Sequence, residues 1–126
     1  RRIDGDRTLP TEVGRAWATL VATGGKVDIA GLARDVGWSR RHLAGRVRAE
    51  LGLPPKVLAE VMRFERSHRM LASGGAASLA GVAAACGYAD QAHMARDWRR
   101  FAGASPTRWL RGEVFPSVQD AAPARA

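Results

Sequence analysis

Apolar residues recur along the chain at the spacing of α-helices, and no segment alternates between apolar and polar residues for long enough to predict a strand. Near the N-terminus this spacing predicts a helix that begins close to Pro10, a residue suited to a first helical turn. The pair Gly24-Gly25 ends this helix, because glycine readily takes the left-handed conformation that terminates helices. We expect its buried face to consist of Val13, Trp17, Leu20 and Val21.

The rest of the chain contains one helical pattern twice, which indicates an internal duplication. Asp28 and, 50 positions later, Ser78 each precede a short amphipathic helix and are suited to cap it through a side-chain oxygen. The two helices carry apolar residues at matching positions, so each is expected to pack into a core. These residues are Ile29, Leu32, Ala33 and Val36 in the first helix, and Leu79, Val82, Ala83 and Cys86 in the second.

Each short helix ends at a glycine followed by an aromatic residue, Gly37-Trp38 in the first copy and Gly87-Tyr88 in the second. A capping residue then begins a second helix, Ser39 before about 40–51 and Asp90 before about 91–102. The second copy has one extra turn residue, Ala89, which leaves both of its helices in phase. A short helix, a glycine turn and a capped second helix form the helix-turn-helix pattern.

Between the two copies, an apolar 3-4-3 spacing predicts a long helix over about 55–72, roughly 27 Å long at ~1.5 Å per residue. Its polar face carries Arg63, Glu65, Arg66 and Arg69. We predict an all-α fold of about seven helices, with two helix-turn-helix subdomains (homeodomain-like lobes) joined by this linker helix. The predicted boundaries are an N-terminal linker at 1–8, a first lobe at 9–54, the linker helix at 55–73, a second lobe at 74–112 and a flexible tail at 113–126.

Large apolar side chains predict where the cores lie. A last short helix is expected after Ser105-Pro106, with Trp109 and Leu110 as its packing residues. Cys86 lies in an apolar run and is predicted to be a small core residue. The tryptophans fall on inward positions or beside turns and are predicted to be core residues: Trp17, Trp38, Trp98 and Trp109.

The charge balance favours a polyanionic partner. Lys and Arg number 20 against 12 Asp and Glu, for a net charge of +8, and the pI is about 11.3. A single cysteine allows no internal disulfide, which fits a reducing cytoplasm. The sequence contains no run of 18 apolar residues, so we expect no membrane span. Because the N-terminus lacks both Met and an apolar signal segment, we expect a fragment of a longer chain.

The second helix of a helix-turn-helix lies in the major groove, where its outward residues meet the base edges. Arginine is suited to guanine, glutamine to adenine, and alanine to the methyl group of thymine. The residues expected to face inward are Leu43, Val47 and Leu51 in the first copy, and Met94, Trp98 and Phe101 in the second. The helical period places most of the candidate base-contacting residues opposite them, and His93 lies beside that stripe, within reach of a base or a phosphate. The candidates are Arg40, Arg41, Ala44, Gly45, Gln91, Ala92, His93 and Arg96.

Other arginines are placed to bind phosphates, which sets the register of the protein on DNA without distinguishing sequences. Gly45 weakens its helix by ~0.5–1 kcal/mol relative to Ala, so either the backbone approaches the DNA closely there or the position is unconstrained. The second copy offers the more varied side chains and is expected to carry more of the sequence specificity. The candidate phosphate-contacting residues are Arg46, Arg48, Arg99, Arg100 and Arg108.

The run GYADQAHMARDWRRFAGASP, from Gly87 to Pro106, resembles the second helix-turn-helix of the AraC/XylS family of bacterial transcription regulators. It contains the glycine-aromatic pair, Asp-Gln, the central arginine, the aromatic residue followed by basic residues, and Gly-x-x-Pro. Met94 and Ser105 stand where the family often has Phe and Thr. Upstream, the segments 39–43 and 63–71 resemble the first unit and linker of the same family.

The resemblance implies a two-lobed, seven-helix domain that binds double-stranded DNA and needs no cofactor. It also implies that a separate ligand-sensing or dimerisation domain precedes this one, and that the regulator usually activates transcription by contacting RNA polymerase. The linker helix would place the two recognition helices about one DNA turn apart, ~34 Å. The base-contact positions of the family correspond here to Arg41, Ala44 and Gly45, and to Gln91, Ala92, His93 and Arg96.

Three other functions compete with DNA binding. For an enzyme, Glu65 and His68 have a spacing used in helix-bundle metal sites, but a second such pair is missing and no nucleotide-binding or hydrolase motif occurs. We therefore expect no catalytic residue and no metal. A helical protein-interaction module would expose the arginines as solvated faces and bind polyanions without sequence preference. RNA binding has little support, because no RNA-recognition aromatic motif occurs.

Overall fold

The computed structural model describes residues 9–75 and 78–112, which form seven α-helices and no strand. This confirms the predicted all-α class. The predicted linker at 1–8 and tail at 113–126 lie outside the described residues. In chain order the helices are α1 (Thr11–Thr23), α2 (Ile29–Val36), α3 (Arg40–Leu51), α4 (Pro55–Ala72), α5 (Leu79–Ala85), α6 (Gln91–Ala102) and α7 (Pro106–Leu110).

The chain divides into two compact units between Met62 and Arg63, within α4. Unit 1 contains α1, α2, α3 and the first half of α4, and unit 2 contains the second half of α4 with α5, α6 and α7. Each unit has its own hydrophobic core. Because α4 contributes the buried Ala59 to the first core and the buried Leu71 to the second, this helix is a structural part of both units.

In unit 1, α1 packs on α2 and α3 through a narrow stripe of residues. Val13, Ala16 and Leu20 are fully buried, whereas Trp17 and Val21 remain 37% and 54% exposed. The prediction that Trp17 and Val21 belong to the core is therefore wrong. Each follows a buried residue directly and lies about 100° around the helix from it, so the two covering helices do not reach these side chains.

The first helix-turn-helix consists of α2 and α3. The Asp28 carboxylate accepts a hydrogen bond from the Gly31 N–H at 3.1 Å, and Ser39 Oγ accepts one from the His42 N–H at 3.0 Å. Between the two caps, Gly37 ends α2 with a φ of 80°, a left-handed conformation in which an L side chain is strained. The structure thus confirms both predicted caps and the turn glycine.

The second helix-turn-helix, α5 and α6, repeats this local arrangement. Ser78 Oγ accepts a hydrogen bond from the Gly81 N–H at 2.9 Å, and Asp90 Oδ1 accepts one from the His93 N–H at 2.7 Å. Gly87 follows the end of α5 with a φ of 86°. The predicted caps are confirmed here too, although Ser and Asp exchange places between the two copies.

A buried hydrogen bond lies at the centre of unit 2. Trp98 is fully buried, and its indole N–H donates to Ser67 Oγ at 2.9 Å. The Ser67 hydroxyl donates in turn to the backbone carbonyl of Phe64 at 2.7 Å. The rings of Phe64 and Trp109 pack around Trp98, with centroids 5.2 and 5.5 Å from it. Together these contacts attach α6 and α7 to the second half of α4.

The remaining core predictions have mixed outcomes. Cys86 is fully buried, and Trp38 and Trp109 are half-buried against the cores of their units, as predicted. Leu110, however, is 50% exposed, so its prediction as a packing residue is wrong. Because α7 has only five residues, little more than one turn, a single side of it can contact the core, and Trp109 occupies that side.

Gly25 is the position at which unit 1 requires glycine most strictly. It is buried with a φ of 82°, and a Cβ placed on it would overlap the backbone carbonyl of Ala59 in α4. We expect Gly25→Ala to lower the free energy of unfolding by more than the ~1–2 kcal/mol of a left-handed alanine, because the first half of α4 must also shift.

The matched control for this change is Gly45→Ala. Gly45 lies within α3, and a Cβ there would meet no atom within 4 Å. This variant should raise the free energy of unfolding by ~0.5–1 kcal/mol, because alanine restricts the unfolded chain. Equilibrium urea unfolding of the two variants measures both effects. A Gly25→Ala chain as stable as the wild type would contradict the close approach of these segments.

Candidate nucleic-acid interface

In unit 1, α3 has one buried and one exposed face. Leu43 and Val47 are buried, and Leu51 packs against the same core. The residues on the opposite side are those that the helical period predicted. Arg40, Arg41, Gly45 and Arg48 are exposed, and Ala44 is half-buried.

In unit 2, α6 is divided in the same way. Met94 and Trp98 are buried, and Phe101 packs on Phe64 with ring centroids 5.5 Å apart. The buried anchors hold α6 against the core, so its other face is presented to solvent. That face exposes Gln91, Ala92, Arg96 and Arg99, with His93 and Ala95 half-buried at its edges.

Two shallow pockets share Arg41 on the surface of unit 1. One, of about 360 Å³, extends to Ser39 and Arg46, and the other, of about 390 Å³, brings Lys56 beside Arg40 and Arg41. Three cationic side chains around one depression form a surface suited to a phosphate group. Lys56 is not among the residues that the sequence pattern predicts for the site, because its place beside α3 depends on the path of residues 52–54. The sequence signal for Lys56 is its position in the first turn of α4, the helix that follows the recognition helix α3.

Two of the predicted phosphate-binding arginines stack on aromatic rings. The guanidinium carbon of Arg46 lies 5.6 Å from the centroid of the Trp38 ring, and that of Arg100 lies 4.7 Å from the Phe101 ring. Stacking uses the flat face of the guanidinium, while its hydrogen-bond donors point along the plane. Such stacking limits the motion of the side chains. Arg48, Arg99 and Arg108 are exposed.

The two histidines at corresponding places in the repeat both contact the aromatic residue of their turn. His42 packs edge-on against Trp38 with centroids 4.5 Å apart, and His93 packs edge-on against Tyr88 at 5.0 Å. His93 makes a further contact, because its Nδ1 accepts a hydrogen bond from the Ala89 N–H at 3.1 Å. The sequence predicts His93 as a candidate DNA contact, whereas its contact with the turn emerges only from the structure.

Polar and charged groups lie beneath the recognition helix of unit 2. Asp97 is only 7% exposed and Tyr88 only 5% exposed, and the Arg63 guanidinium lies 5.5 Å from the Tyr88 ring centroid. Burial raises the pKa of the Tyr88 hydroxyl above its ordinary value, and the negative charge of Asp97 raises this pKa further. Arg63, predicted on the polar face of α4, is half-buried there, because the Tyr88 ring packs against its guanidinium.

Glu65 and His68, which have a spacing used in helix-bundle metal sites, lie in different surroundings. His68 packs into the aromatic cluster of unit 2, with ring centroids 5.7 Å from Trp98 and 4.9 Å from Trp109, while Glu65 is exposed. Within residues 9–75 and 78–112, no group of three or more His, Cys, Asp or Glu side chains could hold a metal ion. No helix in that part of the chain combines the length and apolar character needed to cross a membrane.

Each unit thus contains a short helix, a glycine turn and a second, capped helix. The apolar face of this second helix packs on the core, and its other face exposes arginine or glutamine. This arrangement defines a helix-turn-helix protein of the DNA-binding class. A family model described as a helix-turn-helix domain matches residues 32–112. The chain belongs to the AraC family of DNA-binding transcription regulators, which is not a family of enzymes.

Solved structures have the same fold. The DNA-binding domain of AdpA, a global transcriptional factor solved with a target DNA, has a TM-score of 0.72 and 22% identity, over 93% of this chain and 100% of that one. The C-terminal domain of AraT, a response regulator from Geobacillus stearothermophilus, has a TM-score of 0.76 and 20% identity, over 89% and 93%. A probable AraC family regulator from Rhodopseudomonas palustris has a TM-score of 0.69 and 23% identity, over 84% and 100%. No curated protein sequence matches the chain significantly.

The buried Tyr88 makes the stability of the protein sensitive to alkali. Because its folded-state pKa is raised, the folded chain favours the neutral hydroxyl. In the unfolded chain the Tyr88 hydroxyl ionises at about pH 10. The free energy of unfolding should therefore fall as the pH rises above that value. Tyr88→Phe should remove this component, and urea unfolding between about pH 9 and pH 11 measures it.

Tyr88 is the single tyrosine of the chain, so its tyrosinate absorbance provides an independent check. In the folded protein this absorbance should stay low at about pH 10.5, where a free tyrosine is mostly ionised. A hydroxyl that ionises in the folded chain at about pH 10 would contradict the effect of burial.

Proposed function

We propose that this chain binds specific sequences of double-stranded DNA, with α3 and α6 as its two recognition helices. The observation that supports this most is the repeated one: each helix is held by buried apolar residues on one face and exposes arginine or glutamine on the other. The AdpA domain, a structural neighbour, was solved with a target DNA. We further propose that the two helices occupy successive major-groove segments, about one turn apart.

The residues on the exposed faces have distinct proposed roles. Arg41 and Arg96 bind guanine through two hydrogen bonds each, and Gln91 binds adenine in the same way. Ala92 and Ala95 contact thymine methyl groups, because their short apolar side chains fit against them. Besides Ala95, the base-contacting set that we propose is Arg40, Arg41, Ala44, Gly45, Gln91, Ala92, His93 and Arg96.

A second set of residues binds the DNA backbone in this proposal. Phosphate contacts supply affinity that depends on salt but not on base sequence. Lys56 joins this set because it lines the same pocket as Arg40 and Arg41. The other members are Arg46, Arg48, Arg99, Arg100 and Arg108.

We propose that the domain acts within a longer, ligand-responsive bacterial regulator. A separate sensing or dimerisation domain would precede it, and the bound regulator would activate transcription by contacting RNA polymerase in the cytoplasm. These roles follow from membership of the AraC family and from the resemblance of the sequence motifs. The chain itself supplies DNA binding.

Selection of bound sites from a random duplex library at ~150 mM salt tests the proposed function, because nonspecific phosphate contacts weaken as salt rises. We expect recovery of two short motifs separated by about 10 base pairs, one helical turn. Recovery of one motif would contradict the use of both recognition helices. No enrichment over the starting library would contradict sequence-specific binding and favour a protein-interaction role.

Arg96 and Arg100 lie on the same helix and should differ in effect. Arg96 is exposed on the outward face, so Arg96→Ala should cost ~1–3 kcal/mol of binding and relax the preference at one base pair. Arg100, whose guanidinium lies over the Phe101 ring, is assigned to the phosphate backbone. Arg100→Ala should therefore weaken binding to all sequences alike and reduce the salt slope by about one. Fluorescence anisotropy titrations against single-base-pair variants, repeated over a salt series, separate the two effects.

Each arginine variant is the control for the other, because both remove one positive charge from α6. An Arg96→Ala chain with an unchanged sequence preference would reject the base-contacting role of Arg96. A loss confined to particular base pairs after Arg100→Ala would reject its assignment to the phosphate backbone.

A further inference from the structure

The two turns of the repeat differ by one residue. In the first, Trp38 is followed directly by the cap Ser39, whereas in the second, Ala89 separates Tyr88 from the cap Asp90. The surrounding hydrogen bonds correspond: the Trp38 N–H donates to the Ala33 carbonyl at 3.0 Å and the Tyr88 N–H donates to the Ala83 carbonyl at 2.9 Å. The insertion therefore adds one backbone N–H to the second turn, that of Ala89.

His93 supplies the acceptor for this additional N–H. Its Nδ1 lies 3.1 Å from the Ala89 nitrogen, while its own backbone N–H donates to the Asp90 carboxylate at 2.7 Å. The cap and the third residue of the helix thus each accept a backbone N–H, in a variant of the capping box: histidine stands where Glu or Gln is usual, and the N–H that it accepts belongs to the residue before the cap. An Nδ1 that accepts a hydrogen bond carries no hydrogen, so the neutral ring carries its hydrogen on Nε2.

The orientation of the His93 ring is also constrained. Tyr88, which is almost fully buried, packs against it edge to face with an interplanar angle of 83°. His93 is half-buried, and Arg96, three residues later on α6, lies on the neighbouring surface of the helix. The half-buried ring therefore lies beside the exposed face of the recognition helix, with its orientation constrained by Tyr88 and by the Ala89 N–H.

We propose that the two nitrogens of His93 have separate roles, in which Nδ1 holds the inserted turn and Nε2–H donates a hydrogen bond to a base in the major groove. The partner is a base-edge acceptor, such as purine N7, guanine O6 or thymine O4. This assignment rests on the proposed function and makes His93 a specificity-determining residue. His42 has no inserted turn residue to bind, and its role is to pack against Trp38.

Substitution of His93 by asparagine or by glutamine tests the roles of its two ring nitrogens separately. The amide oxygen of asparagine takes about the position of Nδ1, so His93→Asn retains an acceptor for the Ala89 N–H but lacks the distal donor. The amide of glutamine reaches about the position of Nε2, so His93→Gln retains a distal donor but leaves the Ala89 N–H without its acceptor. The same pair of substitutions at His42 provides the matched control.

The test measures binding of the full chain to the selected site and to its single-base-pair variants, together with the thermal unfolding midpoint. We expect His93→Asn to keep the wild-type midpoint and to lose about tenfold or more of the preference at one base pair. His93→Gln should keep that preference, with a lower midpoint and weaker binding to every sequence. Neither substitution at His42 should change a base preference.

Nitrogen-15 NMR of the chain without DNA tests the tautomer independently, at a pH where the ring is neutral. The expected spectrum shows the hydrogen on Nε2, and a hydrogen on Nδ1 would overturn the proposal. An unchanged base preference in His93→Asn would also overturn it, as would an equal loss on all sequences, which would assign Nε2 to a phosphate. If the wild-type chain selects no sequence, the proposed function itself fails, whereas the NMR result still reports on the turn.

Discussion

The glycine turn of each helix-turn-helix, between α2 and α3 and between α5 and α6, sets the direction of the recognition helix that follows it. Gly37 and Gly87 take φ values of 80° and 86°, which glycine adopts without the strain that a side chain would cause. Directly after each turn, the side chain of Ser39 or Asp90 accepts a hydrogen bond from one otherwise unpaired N–H in the first turn of the next helix. With the direction and starting residue of that helix set, its period decides which side chains enter the core and which face solvent.

The two units use this turn with different cores beneath it. The core of unit 1 is mostly aliphatic, whereas in unit 2 the buried Trp98 and Ser67 share a hydrogen bond and Asp97 lies beside them on α6. Buried polar groups are costly unless satisfied, so they permit few alternative positions of the helix that carries them. A recognition helix held in this way presents its side chains in a defined register, which suits the unit that offers Gln91 and Arg96.

Much of the fold and of the candidate interface could be predicted from the sequence. The helices, the four caps and the exposed faces of α3 and α6 agree with the structure, because each depends on residues a few positions apart. The errors concern burial. Trp17 and Leu110 are apolar yet half-exposed, since no neighbouring helix covers them. A helical period predicts where a side chain points but not what lies opposite it.

The duplication, the turns and the outward arginine and glutamine residues can be read from the sequence, because caps, glycine turns and helical periods act over one or two turns of chain. Three contacts emerge only from the packing of the helices: Lys56 lies beside Arg40 and Arg41, the Ala59 carbonyl lies against Gly25, and the aromatic rings of unit 2 surround His68. These contacts join residues that lie far apart along the chain or across a turn of unspecified path. Their formation depends on how whole helices pack, which local sequence does not specify.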